Sequence, residues 1–498
     1  MAAAPVPVSD VDLSAHLAAL RTDPLAVNPP DWRIDWDDSP WPVKVYRGGR
    51  RIPLSGKAPD PLLDRLGRVL WFTFGISRVR FEPHGGLPAT PDNPMPQHHG
   101  PRLRTRRPIP SGGSMYPTEA YVLLPARQAA YHYDPYRHEL TEVGQPDIAL
   151  GAPDRAAILV LANRFWKNFY KYGDFAYRLG AVDLGVALGR ALRLATAEFD
   201  HADVLTGFPD REVDAALGLD WREESAYAVL ALDTADPVPP ASSGGRPPSV
   251  VEKSRTVKRS PAFDAAHTAA CTDIPGAAAQ PTAEPADGPV HRLPAAVDVD
   301  QVDRTAMLRR ASNGPLCTGE PITRSELATL LHHTTSAVQR LRESTADQCG
   351  TDIGLHVAVH RVDGLPVGWY RYRSGDLVAV GACDGDPARL LQDALYADTV
   401  NVELAACTVH VTGWADHRRY GRGVRGYRIQ QMAVGAAIEA LTLTAELIGL
   451  SGHPLLGFDA RRVDEAYRLG GRGIGVHAQV CVGRVRVDPA WEISVMQR

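Results

Sequence analysis

The segment RFWKNFYKYGDFAYR, residues 164–178, sets two lysines among seven aromatic side chains. A lysine serves as a base only when neutral, and desolvation or neighbouring cations lower its pKa toward that state. Lys171 has Tyr172 beside it, and a phenol can donate a hydrogen bond or relay a proton. Residue types alone also allow Lys171 to be a solvated lysine at a helix end. Lys167 reads as a surface residue. A second candidate lies in RRPIPSGGSMYPTEAYVLLP, residues 106–125. There Ser111, Gly112 and Gly113 precede a strand expected at Glu119–Leu124. A glycine pair lets backbone come close to a planar ligand, and Arg107 adds charge nearby. In LRRASNG, Arg309, Arg310 and Ser312 are suited to hold a phosphate, which guanidinium groups and helix N-terminal amides bind well. The Gly457-Phe458 turn offers further main-chain contacts.

These residues must be positioned by a chain of 498 residues, too long for one core, so two or three domains are expected. Hydrophobic content of 44% and charged content of 22% are those of an ordinary globular protein. A net charge of −4 gives no global pull toward nucleic acid or anionic membrane. No apolar run approaches the roughly 20 residues a membrane helix needs. The first residues lack a basic start followed by an apolar stretch. Six cysteines contain no CxxC pair and none precedes residue 271, which argues against a disulfide framework or structural zinc. A cytoplasmic protein with reduced thiols is expected.

The chain repeats itself. GFPDREVDAALGL (207–219) lies over GFDARRVDEAYRL (457–469), and seven residues recur 250 positions later. The same offset carries Tyr177-Arg178 onto Tyr427-Arg428 and Gly185 onto Gly435. AYHYD (130–134) is similar to WYRYR (369–373). Agreement in several segments, in order, indicates an internal duplication. Each half reads as α+β. Strands are expected in AYVLLP, AAILVLA and AYAVLAL, then in LHVAVHRV, CTVHVTG and GVHAQVCVGRV. Long apolar helices are expected at 179–196 and 429–448; helices apolar over most of their circumference are buried. Packed together they make the chain a fused dimer with clefts along the seam. The domains are 1–235, with an N-terminal extension 1–34, and 299–498. The stretch 236–298, rich in Pro, Ala and Ser, reads as a mobile linker.

The motif order DWDDSPWPVKVY (35–46), VLWFTFGIS (69–77), RPIPSGGSMYPTEAYVL (107–123), YHYDPYRHEL (131–140) and KYG (171–173) resembles the SagB/McbC-type dehydrogenases of the nitroreductase superfamily. These are FMN enzymes that oxidise thiazolines and oxazolines in ribosomally made peptides to thiazoles and oxazoles. The second half is similar to a plainer nitroreductase domain. The resemblance implies two nitroreductase-like α+β domains fused as an intrachain pseudo-dimer, with FMN at the seam. It implies that Lys171 and Tyr172 are the catalytic pair. Arg107, Ser111, Gly112, Gly113, Arg309, Arg310, Ser312, Gly457 and Phe458 become the cofactor residues. The Gly pair occurs in the first half only; the second has ADQCG (346–350) there, and Arg419-Tyr420 in place of the Lys-Tyr pair. Arginine stays protonated and is a poor base, so one FMN per chain is expected. The implied partners are a modified precursor peptide and a cyclodehydratase, with dioxygen as reoxidant and further homo-oligomerisation open. The alternatives are an NAD(P)H-dependent nitroreductase or flavin reductase on small molecules, and a non-catalytic scaffold of a peptide-modifying complex.

Other patterns carry less. GRGIG (471–475) precedes a strand where a dinucleotide fingerprint follows one, so it reads as a turn. Gln97-His98-His99 and His332-His333 lack matching ligands for a metal. The arginines at 418, 419, 422, 425 and 428 and at 102–107 lack the interleaved aromatics of a nucleic-acid surface. An acidic peptide segment is a better match for them. Trp32, Trp36 and Trp41 are expected to pack on the first domain.

Overall fold

The computed structural model of the chain describes residues 12–28, 32–54, 60–82, 102–144, 155–234, 248–272, 288–345, 353–380, 385–420, 423–488 and 492–495. Each half builds a seven-stranded antiparallel sheet. The first runs, edge to edge, through Arg51–Pro53, Glu139–Gly144, Ala129–Asp134, Thr118–Leu124, Ala157–Arg164, Glu224–Asp233 and His201–Leu205. The second runs through Val290–Arg292, Asp376–Ala379, Gly368–Arg373, Gly354–Val359, Cys407–Trp414, Ile474–Gly483 and Ser451–Leu455. Strand for strand the order is the same. AYHYD and WYRYR fall in corresponding strands. Even an irregularity repeats: the ladder skips Tyr227 in one sheet and His477 in the other. A β-bulge is a built feature of a fold, so its recurrence 250 positions later supports one duplicated unit. The continuous apolar runs are explained by burial on both faces: every residue of Ala157–Arg164 and of Cys407–Trp414 is buried.

Between the sheets lie two long helices, Ala176–Glu198 and Gly423–Leu447, and they cross in close contact. Glycine sets the approach. A Cβ at Gly185 would lie 1.9 Å from the Met432 carbonyl oxygen, and one at Gly435 would lie 2.1 Å from that of Val182. Tyr177 and Tyr427 stack across the same axis, with ring centroids 6.2 Å apart. Two carboxylates buried in the seam are paired with arginines of the other half. Glu439 accepts from Arg190 at 2.7 Å and Arg193 at 2.9 Å, and Asp210 accepts from Arg428 at 2.6 Å and from Arg425. Arg425 and Arg428, grouped by sequence with a surface arginine cluster, are therefore core residues.

The stretch expected to be a mobile linker contains regular structure. Ser249–Val251 pairs with Val45–Arg47, and Pro261–Thr272 is a helix whose Phe263, Ala266, His267 and Ala270 are buried. Those positions are spaced i, i+3, i+4, i+7, an apolar stripe that a Pro- and Ala-rich setting obscures. The ring of Phe263 meets those of Phe165, Phe169 and Tyr177 edge-on. This helix follows the N-terminal helix Leu13–Thr22 by about 250 positions, the offset of the duplication. The two play matching parts. Arg21 reaches Asp464 of the second half at 2.7 Å, and His267 reaches the Trp221 carbonyl of the first at 2.9 Å. Residues 236–247 and 273–287 of that stretch lie outside the described residues. A third, small sheet joins the halves again: Glu492–Ser494 pairs with Arg78–Glu82, which pairs with Arg102–Arg106.

Candidate functional site

A cleft of about 520 Å³ opens at the seam, walled by both halves. The first half contributes the turn after Pro110, the end of the helix Phe165–Tyr172, and one face of Ala176–Glu198. The second contributes residues 310–313, the stretch 453–457 and Ile438.

The glycine turn is held from below. Asp183 Oδ2 accepts from the Ser111 hydroxyl at 2.8 Å, and Oδ1 accepts from the Gly112 N–H at 3.0 Å. Ser111 Oγ in turn accepts from the Tyr116 N–H at 2.9 Å. Burial lifts the Asp183 carboxyl to about 6 against the pull of those donors. Ser111 and Gly112 thus spend these donors on the protein itself. Gly113, at φ 57°, is the residue that meets the lysine and tyrosine. A Cβ there would lie 2.3 Å from Tyr172 Oη and 2.7 Å from Lys171 Nζ. Lys171 and Tyr172 both line the cleft, as do Ser111, Gly112, Gly113 and Arg107. Desolvation, then the nearby Arg104 guanidinium, lowers the Lys171 ammonium to about 8. Its Nζ lies 5.8 Å from the centre of the Trp36 ring and 5.0 Å from that of Tyr172. Burial first, then the Asp183 carboxylate, raises the Tyr172 phenol above its ordinary value.

On the opposite wall Arg310 and Ser312 line the cleft, and Arg309 does not. The helix Arg304–Arg309 ends there and the chain turns extended at Arg310. Arg309 therefore points outward to an ion pair with Glu446, its side chain 62% exposed. Arg310 is buried, donating to the Pro108 carbonyl at 2.8 Å and to Ser312 Oγ at 3.3 Å. Desolvation, then Arg78, holds its pKa down to about 9. A buried guanidinium set against neutral acceptors is the donor set that a phosphate completes. Gly457 faces the cleft, and a Cβ there would meet nothing within 4 Å, which leaves room for a ligand against its backbone. Phe458 turns the other way, 1% exposed, into the core of the second half.

Sequence reasoning missed several residues. Lys167, read as exposed, is fully buried, with Nζ 3.1 Å from Glu119 and 3.0 Å from the Pro42 carbonyl. Asp183, Arg78 and His453 line the cleft without having been singled out. Asp183 had a signal, a lone acid inside LGAVDLGVALG. His453 accepts from the Gly314 N–H at 3.1 Å, and burial lowers it to about 4. Trp32 and Trp36 pack edge-on against Phe169 and Tyr170, while Trp41 is 43% exposed.

The corresponding place in the other half is built differently. Ala433 stands where Asp183 does, and Arg425 where the cleft-lining Phe175 does. The Arg425 guanidinium donates to the Thr206 carbonyl at 3.1 Å and to Asp210. Arg419 lies over Trp414 with 5.0 Å to the ring centre. ADQCG and Gln97-His98-His99 lie outside the described residues. Residues 471–473 form a turn with Gly471 and Gly473 at positive φ. Among the described residues no cluster of His, Cys, Asp or Glu is set to hold a metal ion, and no helix is long and apolar enough to cross a membrane.

No family profile and no curated protein matches the chain. Solved structures do. A nitroreductase-like protein from Anabaena variabilis superposes with a TM-score of 0.73 at 22% identity, over 95% of this chain and 99% of that one. Another from Ralstonia eutropha matches with a TM-score of 0.31 at 20% identity, over 43% and 98%. The E. coli microcin synthetase McbBCD complex with truncated pro-MccB17 bound matches with a TM-score of 0.29 at 17% identity, over 36% and 70%. The Anabaena likeness spans both halves together, and the chain has the fold of two nitroreductase-like α+β domains fused in one polypeptide.

Proposed function

We propose that the chain is an FMN-dependent dehydrogenase that oxidises thiazoline or oxazoline rings of a ribosomally made peptide to azoles. The observation that carries this reading is the meeting of Lys171 and Tyr172 at Gly113 inside the inter-half cleft. Arg310 and Ser312 would hold the phosphate, and the backbone at Gly113 and Gly457 would flank the ring system. A bound flavin would supply the two-electron acceptor that takes hydride from one azoline ring carbon. The chain's own task is the proton on the neighbouring carbon. Lys171, with its pKa near 8, is neutral in a large fraction of molecules at mildly alkaline pH and accepts that proton. Tyr172 stays protonated and orients the ring nitrogen or the lysine by donating a hydrogen bond. The aromatic surround of Trp36 and Tyr172 keeps water from the amine.

The test is anaerobic mixing of purified protein with an azoline peptide. Bleaching of bound flavin together with loss of two hydrogens per ring supports the reading. A colourless protein that cannot be reconstituted with FMN overturns it in favour of a scaffold. Rapid NADPH oxidation without peptide overturns it in favour of a small-molecule reductase. A cyclodehydratase partner would be sought by co-purification.

A further inference from the structure

We propose that Asp183 is a positioning residue for this cleft. Its carboxylate ties the 111–114 turn to the long helix and so sets Gly113 against Tyr172 and Lys171. The proposal rests on the reading of Lys171 as base. Both carboxylate oxygens are engaged by the turn, one by a side chain and one by a backbone N–H. Asn168, from the helix that carries Lys171, adds a third donor at 3.4 Å. One carboxylate therefore links three pieces of the first half.

The turn needs such a tether. Gly113, Ser114 and Tyr116 have φ of 57°, 59° and 49°, and the last two are not glycine. Non-glycine residues hold that conformation only where surrounding structure fixes it. Asp183 acts on one side of the turn; on the other, the space at Gly113 is taken up by Tyr172 Oη and Lys171 Nζ. A shift of the turn thus changes the packing and hydration of both. The duplication supplies a control, because Ala433 occupies the same place in the half that has no Lys-Tyr pair. Tether and pair occur together.

Lys171 in the FMN-free protein can be titrated by its rate of amine modification against pH, read on its own peptide by mass spectrometry. In Asp183→Ala the apparent pKa should rise from about 8 toward that of an ordinary lysine, as the loosened turn admits water. Turnover of the FMN-loaded protein should fall roughly tenfold in kcat, with KM little changed. Asp183→Asn, which keeps an acceptor for Gly112, should recover part of the loss. Ser111→Ala cuts one of the two ties and should move the Lys171 profile in the same direction by less. Should Asp183→Ala not fold, Ser111→Ala decides. A shifted profile supports the tether; unshifted profiles in the folded variants overturn it. Lys171→Ala run in parallel separates the two ideas. Lost turnover there, with full turnover in Asp183→Ala, sinks the tether alone, and retained turnover in Lys171→Ala sinks the base.

Discussion

Two lysines of one short helix are both lowered to about 8, chiefly by desolvation, so pKa does not decide between them. Access does. Lys167 is sealed against Glu119 and the Pro42 carbonyl, whereas Lys171 opens on the cleft. A base works in its neutral form, so kcat/KM should rise with pH through about 8 and level off above it. Lys171→Ala and Lys171→Arg should both lose that limb, the latter because guanidinium stays protonated. Rates measured from pH 6 to 10 check this, and an unchanged profile in Lys171→Ala excludes the role. Lys167→Met has a different expected result. It leaves the buried Glu119 carboxylate with one cation fewer, which costs about 3 kcal/mol, seen as a lower urea midpoint with the pH profile retained. The sequence distinguished these lysines only through the KYG motif. The crowd of aromatics around both gave no sign that Glu119, 48 positions away, would draw Lys167 inward.

The long helices show which element-scale features are legible in sequence and which are not. Their apolar circumference announced burial, and Gly185 and Gly435 matched at the offset of the duplication. The reason for the glycines is visible only in the crossing. Alanine raises helix propensity by about 1 kcal/mol over glycine, yet a Cβ at Gly185 would sit 1.9 Å from a carbonyl oxygen. Backbone must move, and overpacking of that kind costs roughly 1–3 kcal/mol. Gly185→Ala should therefore lower stability despite its better propensity, measured as a reduced melting temperature; an increase would mean that the helices part easily. The helix Pro261–Thr272 was not legible, because Pro-rich flanks on both sides masked a short stripe. Phe263→Ala removes a ring packed against three others and should cost about 3–5 kcal/mol. A cost near zero in a denaturant titration would return this stretch to the role of a linker.

At the scale of the whole molecule, duplication gives two pseudo-equivalent places along the seam, and most of the site residues expected from the sequence gather at one of them. Glycine turn, Lys-Tyr pair and buried Arg310 converge on the same cleft, although they come from both halves. That convergence could be read only through a family resemblance, since no local pattern states which half faces which. At the pseudo-equivalent place the residues have been spent on structure. Arg425 and Arg428 share Asp210, and the counterpart of Asp210 is Ala460, so that place carries an ion-pair cluster with no counterpart beside the cleft. Opening it would strip a buried carboxylate of its partners, which is strongly destabilising. One flavin per chain is therefore expected, measured as FMN released on denaturation against protein concentration. Arg310→Ala tests the orientation within the site. A hydrogen bond to a charged group contributes about 1.5–3 kcal/mol, so FMN affinity should fall by tenfold or more. Riboflavin, which lacks the phosphate, should bind the variant and the parent alike. Equal losses for the two ligands would place the phosphate elsewhere, and two FMN per chain would show that the Asp210 cluster does not close the second place along the seam.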